Sequence, residues 1–226
     1  MISRKLKMKN KLLIFDLDGT IADTLDTIRN AVNMCVEHFG FEKQTYGQVR
    51  RNVGNGVSYL MKHSLPEHVS ADEARFAEIL EYFRSCYLLT HDKLDGCYEG
   101  LYEVIVALHA SGYKLAVLSN KPDRLVKNII KKLFPDGTFS ISMGQTELPR
   151  KPDPTVPLMI ANELGFELDC CYYIGDSEVD VQTAKNAGMH SVAVSWGFRD
   201  RALLEEALPE RIIDTPQELL AFFEKA

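Results

Sequence analysis

Short apolar runs, each closed by a polar or acidic residue, recur along this chain and are separated by amphipathic stretches. The first is Lys11-Leu12-Leu13-Ile14-Phe15-Asp16. Residues 113–118 (YKLAVL), 171–174 (CYYI) and 191–194 (SVAV) repeat its form, and 139–142 is a weaker version. A run that is apolar at every position suits a strand covered on both faces, as in a parallel sheet. Between the runs, helical periodicity predicts helices over residues 101–110, 124–133, 155–164 and 179–187. Leu219, Leu220, Phe222 and Phe223 predict a terminal helix docked on the core. Strands alternating with helices imply βαβ units, so the expected fold is α/β, a doubly wound, Rossmann-like parallel sheet.

One stretch breaks the alternation. From Thr24 to His91 no strand run occurs. Ile28, Val32, Cys35, Val36 and Phe39 recur at helical spacing, as do Phe76, Ile79, Leu80, Phe83 and Tyr87. Val53-Gly54-Asn55-Gly56 is a turn signal between them. The expectation is an inserted all-α cap, a helical bundle of about four helices, over residues 23–93. Residues 1–22 and 94–226 would form the core.

Composition narrows the partners. Of 226 residues, 46% are hydrophobic and 26% charged, which is ordinary globular usage, and the net charge of -6 supplies no basic field for nucleic acid. No apolar run approaches the roughly 20 residues of a membrane span. Arg4, Lys5, Lys7 and Lys9 are like the basic start of a signal peptide, but the apolar run after them is too short for one. They read as a solvated tail. Five cysteines without a CxxC spacing argue against a disulfide framework or a zinc site, and reduced thiols point to the cytoplasm. A monomer or a homodimer is expected.

The strand ends carry the chemistry. The first closes on Asp16-Leu17-Asp18-Gly19-Thr20, the second on Ser119-Asn120-Lys121, and the run 171–174 on Gly175-Asp176-Ser177, with Asp180 beyond. In open parallel sheets, ligands bind at the carboxyl ends of strands. Asp16 and Asp18 are two apart and would face one site in extended backbone. Carboxylates so close repel unless a cation lies between them, and Mg²⁺ fits a site with few protein carboxylates and room for a phosphate. A lone Asp here would be a cap or turn residue, whereas Asp16, Asp18, Asp176 and Asp180 together point to a metal. Asp180 is also a candidate N-cap that only supports the metal site. Ser119 could receive phosphate oxygens or cap a helix. Lys151, framed by Pro149, Pro152 and Pro154, is either a solvated loop charge or the cation that the acidic cluster needs.

This constellation resembles the haloacid dehalogenase superfamily, specifically phosphatases with a small helical cap after the first strand. Asp16-Leu17-Asp18-Gly19-Thr20 is similar to its first motif, Ser119 to its second, Lys151 to its third, and Gly175-Asp176-Ser177 with Asp180 to its fourth. The resemblance implies a Mg²⁺-dependent phosphatase in which Asp16 attacks phosphorus and forms an aspartyl-phosphate, and Asp18 serves as acid and then base. Asp16, Asp176 and the backbone carbonyl of Asp18 would hold the metal, and Asp180 would support it. Leu17, Asp18, Gly19, Thr20, Ser119 and Asn120 would surround the phosphate. Lys151 would offset its charge.

In the cap, Arg51-Asn52-Val53-Gly54-Asn55-Gly56 looks like the glycine-containing specificity loop of phosphoglycolate phosphatases. Gly54, Asn55 and Gly56 could approach an anion and Arg51 could pair with a carboxylate. A helix end followed by a turn, with surface arginines, explains the same residues. The expected substrate is a small phosphorylated metabolite, 2-phosphoglycolate first. A sugar-phosphate mutase resembling β-phosphoglucomutase, a hydrolase of nucleoside monophosphates or pyrophosphate, and a non-enzymatic phosphoacceptor module are the alternatives.

Overall fold

A computed structural model describes residues 10–90 and 96–225. The basic residues before Asn10 and the second cap boundary near residue 93 lie outside that range. The apolar runs form a six-stranded sheet. Its strands are β1 (Leu12–Phe15), β2 (Lys114–Pro122), β3 (Ile141–Gln145), β4 (Cys171–Gly175), β5 (His190–Val194) and β6 (Arg211–Ile213), in the order β3-β2-β1-β4-β5-β6. Every neighbouring pair is parallel. β1 is central, and Phe15 lies opposite Val117 of β2 and Ile174 of β4.

Helices cover both faces, which is why β1 is apolar throughout. Leu13 and Phe15 pack with Val104, Val126 and Phe223 on one side. Leu12 and Ile14 pack with Ile160, Tyr173 and Ala184 on the other. The alternation follows from the two-residue period of a strand.

Between β1 and β2 the chain forms α1 (Leu25–His38), α2 (Tyr46–Asn52), α3 (Val57–Lys62), α4 (Glu67–Ser70) and α5 (Glu73–Thr90). The core helices follow as α6 (Leu101–Ala110), α7 (Asp123–Leu133), α8 (Thr155–Leu164), α9 (Glu178–Ala187), α10 (Arg201–Glu206) and α11 (Pro216–Lys225). The inserted helices bury a separate cluster that includes Ile28, Val32, Ile79 and Phe83, to which Leu125 and Phe198 of the core contribute. Among the described residues, five helical segments stand where about four were expected. Gly54 and Gly56, both at positive φ, and Pro66 at the N-cap of α4 cut the middle of the insert into short pieces.

Three other details depart from the sequence expectation. β2 continues to Pro122, so Ser119 sits in a strand while Pro122 occupies the N-cap of α7. β3 begins later than the run 139–142, because Phe139 turns into the core beside Phe15 and Phe134. β6 and α10 carried no signal of their own. No helix among the described residues is long and apolar enough to cross a membrane, and all five cysteines are free.

Candidate active site

The strand order reverses between β1 and β4, where the crossovers leave a crevice at the carboxyl edge. β1 delivers Asp16 there, pinned by its N–H on the Ile174 carbonyl at 2.8 Å. The chain then turns sharply, the N–H groups of Thr20, Ile21 and Ala22 all donating to the Leu17 carbonyl. Gly19 makes the turn at φ +87°, and a Cβ there would lie 2.3 Å from Asp176 Oδ2. Only glycine permits both. Asp176, at the end of β4, accepts from Thr20 Oγ1 at 3.1 Å and from the Phe198 N–H at 2.7 Å.

Asp180 caps α9 from within. Its Oδ2 accepts from the Ser177 N–H and hydroxyl, and its Oδ1 accepts from Lys151 Nζ at 2.7 Å. Both oxygens are therefore engaged, and Asp180 orients the lysine. Lys151 Nζ also lies 2.9 Å from Asp16 Oδ1, at an angle that makes an ion pair without a hydrogen bond. Asn120 ties the strand ends together. Its Oδ1 accepts from the Lys151 N–H, and its Nδ2 donates to the carbonyls of Lys151 and Gly54.

Asp18 has different company. Its Oδ1 accepts from Thr24 Oγ1 at 2.7 Å and from Lys121 Nζ at 2.8 Å. Lys121 in turn donates to the Tyr87 hydroxyl at 2.6 Å. Ser119 Oγ accepts from the Lys121 N–H at 3.4 Å, in the stretch of β2 where its register with β3 shifts.

Oxygens of Asp16, Asp176 and Asp180 lie within 4.8 Å of one another. Burial, reinforced by the neighbouring Asp180 and Asp18 carboxylates against the pull of Lys151, raises Asp16 to about 6. Burial and the Asp180 and Asp16 charges push Asp176 to about 8. Burial alone would lower Lys151, but the Asp16 and Asp180 carboxylates hold it well above its ordinary value. Carboxylates strained in this way, with Asp16 Oδ1 buried and lacking a hydrogen bond, suit a hard divalent cation bound by oxygen. The set fits a metal site.

Above it lies a cavity of about 40 Å³, room for a few water-sized groups. Asp16, Asp18, Ser119, Asn120 and Lys121 line it from the core, and Ile28, Val53, Gly54, Gly56, Val57, Leu60 and Tyr87 from the inserted helices. Leu17 and Thr20 are buried and do not line it. Arg51 stands elsewhere, exposed on an outer groove with Arg50, Glu178 and Arg199, and Asn55 does not line the cavity.

Four functional groups had no distinctive sequence signal. The Phe198 N–H and Thr24 belong to a loop and a helix cap, and Tyr87 fits an ordinary helical stripe. The fourth, Arg199, is buried, donates to the carbonyls of Arg50 and Val53 at 2.9 and 2.8 Å, and pairs with Glu178.

A family model for haloacid dehalogenase-like hydrolases matches residues 13–194. Phosphoglycolate phosphatase 1 of Pseudomonas aeruginosa is 30% identical over 220 residues, covering 96% of this chain and 80% of that protein. The crystal structure of a predicted phosphoglycolate phosphatase from Haemophilus somnus superposes with a TM-score of 0.87 at 26% identity, covering 94% of this chain and 97% of the other. A β-phosphoglucomutase from Clostridium difficile shares the fold at a TM-score of 0.79 and 19% identity, covering 96% of each chain. The chain belongs to the haloacid dehalogenase-like hydrolase family, as an enzyme of the phosphoric monoester hydrolase kind similar to phosphoglycolate phosphatases.

Proposed function

We propose that this protein is a Mg²⁺-dependent phosphatase of a small phosphorylated metabolite, with 2-phosphoglycolate as the first candidate. The observation that carries the reading is the convergence of four aspartates, Ser119 and two buried lysines at one sheet edge under a cavity of about 40 Å³. Asp16, Asp176 and the backbone carbonyl of Asp18 would hold Mg²⁺, whose charge would offset that of the phosphate dianion among these carboxylates. Residues 23–93 act as the cap over the core.

Asp16 attacks phosphorus in line as the ester oxygen departs, giving an aspartyl-phosphate. Asp18 donates a proton to that oxygen, then takes one from the water that hydrolyses the acyl phosphate. Ser119, the Leu17, Asp18 and Asn120 N–H groups and Lys151 hold the transferring oxygens. Lys151 is fixed for this by Asp180, which locks its ammonium 2.9 Å from the nucleophile. The choice of substrate rests on the relatives and the small cavity. Arg51, on the outer groove, adds nothing to it. The five free thiols accord with a cytoplasmic setting.

Phosphate release from 2-phosphoglycolate, hexose phosphates, nucleoside monophosphates and pyrophosphate, with Mg²⁺ and with EDTA, tests the proposal. Mg²⁺-dependent release led by 2-phosphoglycolate is expected, and Asp16→Asn should cut it by at least about 10³-fold in a folded protein. Isomerisation of a hexose phosphate without net release would favour a mutase. Substantial turnover by the variant would remove Asp16 as nucleophile.

A further inference from the structure

Lys121 has no part in the steps above, yet its side chain is fully buried at the rim of the site. A buried ammonium is retained only where its donors are matched. One donor goes to Asp18 Oδ1, and another goes to the hydroxyl of Tyr87. Tyr87 lies on α5, the last inserted helix, and stacks on Phe83 within that cluster, with ring centroids 5.3 Å apart. A single ammonium therefore bridges a carboxylate of the core and a phenol of the insert.

From this juxtaposition we propose that Lys121 and Tyr87 are positioning residues for Asp18, and that the docked insert completes the general acid through them. The inference rests on the phosphatase reading above. Thr24 Oγ1 and Lys121 Nζ both donate to Oδ1 of Asp18. That oxygen accepts both bonds whatever the protonation of the other, so the pair fixes the carboxyl plane and leaves Oδ2 to carry the proton. In the step concerned the Asp16–phosphorus bond forms and the phosphorus–ester oxygen bond breaks. The departing alkoxide takes the Oδ2 proton, leaving Asp18 as carboxylate. With the Tyr87 hydroxyl removed, Lys121 loses its anchor and Asp18 its fixed orientation. Misorientation of this kind weakens proton transfer and leaves phosphate binding alone.

The test compares leaving groups. An alkyl ester such as 2-phosphoglycolate needs a proton on its departing oxygen, whereas acetyl phosphate releases acetate, which needs none. For Tyr87→Phe, kcat/KM on the alkyl ester should fall about tenfold, below the 10²–10⁴-fold of a whole general acid. KM for the alkyl ester should be unchanged, and kcat/KM for acetyl phosphate, which ends at the departure of acetate and excludes the Asp18-assisted hydrolysis of the aspartyl-phosphate common to both substrates, should stay within about twofold. Lys121→Met should show the same selectivity more strongly, and Tyr87→Phe keeps the test valid if Lys121→Met does not fold. Equal losses in kcat/KM on both substrates, or no loss on either, would overturn the proposal in favour of a structural role. A rise confined to KM for carboxylate-bearing esters would overturn it in favour of substrate recognition. Wild-type protein inactive on every ester would overturn the phosphatase reading itself, a result distinct from unselective variants of an active enzyme.

Discussion

Gly19 and Asp176 show how little freedom the metal cluster has. The position where a Gly19 side chain would begin is already filled by the Asp176 carboxylate, 2.3 Å away. A Cβ at Gly197 would meet Asp176 Cβ at 2.3 Å, and one at Gly175 would meet Asp180 Cγ at 2.2 Å. Each glycine is a mould for an aspartate. Gly19→Ala must displace Asp176 and adopt a positive φ, so it should cost about 1–3 kcal/mol of stability. A carboxylate moved by an ångström should also cost about 100-fold in turnover. Gly40, at φ +77° with nothing near its Cβ position, separates the two effects. Gly40→Ala should lose stability in thermal unfolding and keep full activity. Full activity in Gly19→Ala would show that the mould is not needed.

At the scale of elements, the short helices of the insert matter through their ends. α2 stops at Asn52, and the carbonyls of Arg50 and Val53 at its end accept from Arg199 of the core. A cation there also opposes the partial negative charge of a helix C-terminus. Asn120 binds the next carbonyl, at Gly54. Arg199→Met removes these donors and should destabilise the protein by about 2 kcal/mol. Hydrogen exchange should rise across residues 46–56 while β1 and β4 stay protected, and protection unchanged in 46–56 would show that Arg199 does not hold α2. The strands that carry the aspartates were legible in the sequence because burial on both faces leaves unbroken apolar runs, and the acidic residues follow those runs directly. Arg199, Tyr87 and β6 were not. The first two act across the junction of insert and core, between residues 149 positions apart for Arg199 and Arg50 and 34 apart for Tyr87 and Lys121, which no local period encodes. β6 spans only Arg211–Ile213 at the sheet edge, too short for a pattern. Arg51 and Asn55 have the opposite history. They sit in a distinctive stretch, but it is that stretch's carbonyls at Val53 and Gly54, not the Arg51 and Asn55 side chains, that bond to the core.

For the whole molecule, the site stores unfavourable charge that a cation should relieve. Asp16 is raised to about 6 and Asp176 to about 8, in both cases chiefly by burial, against ordinary values near 4 in the unfolded chain. The folded state thus holds these protons more tightly than the unfolded state. Their contribution to stability is complete below the ordinary carboxylate range and is lost as pH rises through about 6 and then about 8. A divalent cation needs both groups ionised, so it competes with the same protons and binds more tightly as pH rises. At a concentration of 100 times Kd it adds about 2.7 kcal/mol, which is about 5–10 °C in Tm for a chain of this length. Thermal unfolding with Mg²⁺ minus that with EDTA should therefore show a clear rise at pH 8.5 and a smaller one at pH 6. The subtraction removes groups remote from the site, and Asp176→Asn should abolish most of the difference at both pH values. A Mg²⁺ effect equal at the two pH values would mean that protons and metal do not compete for these aspartates, whereas no effect at either would leave the buried cluster a set of caps and ion pairs with no metal to hold.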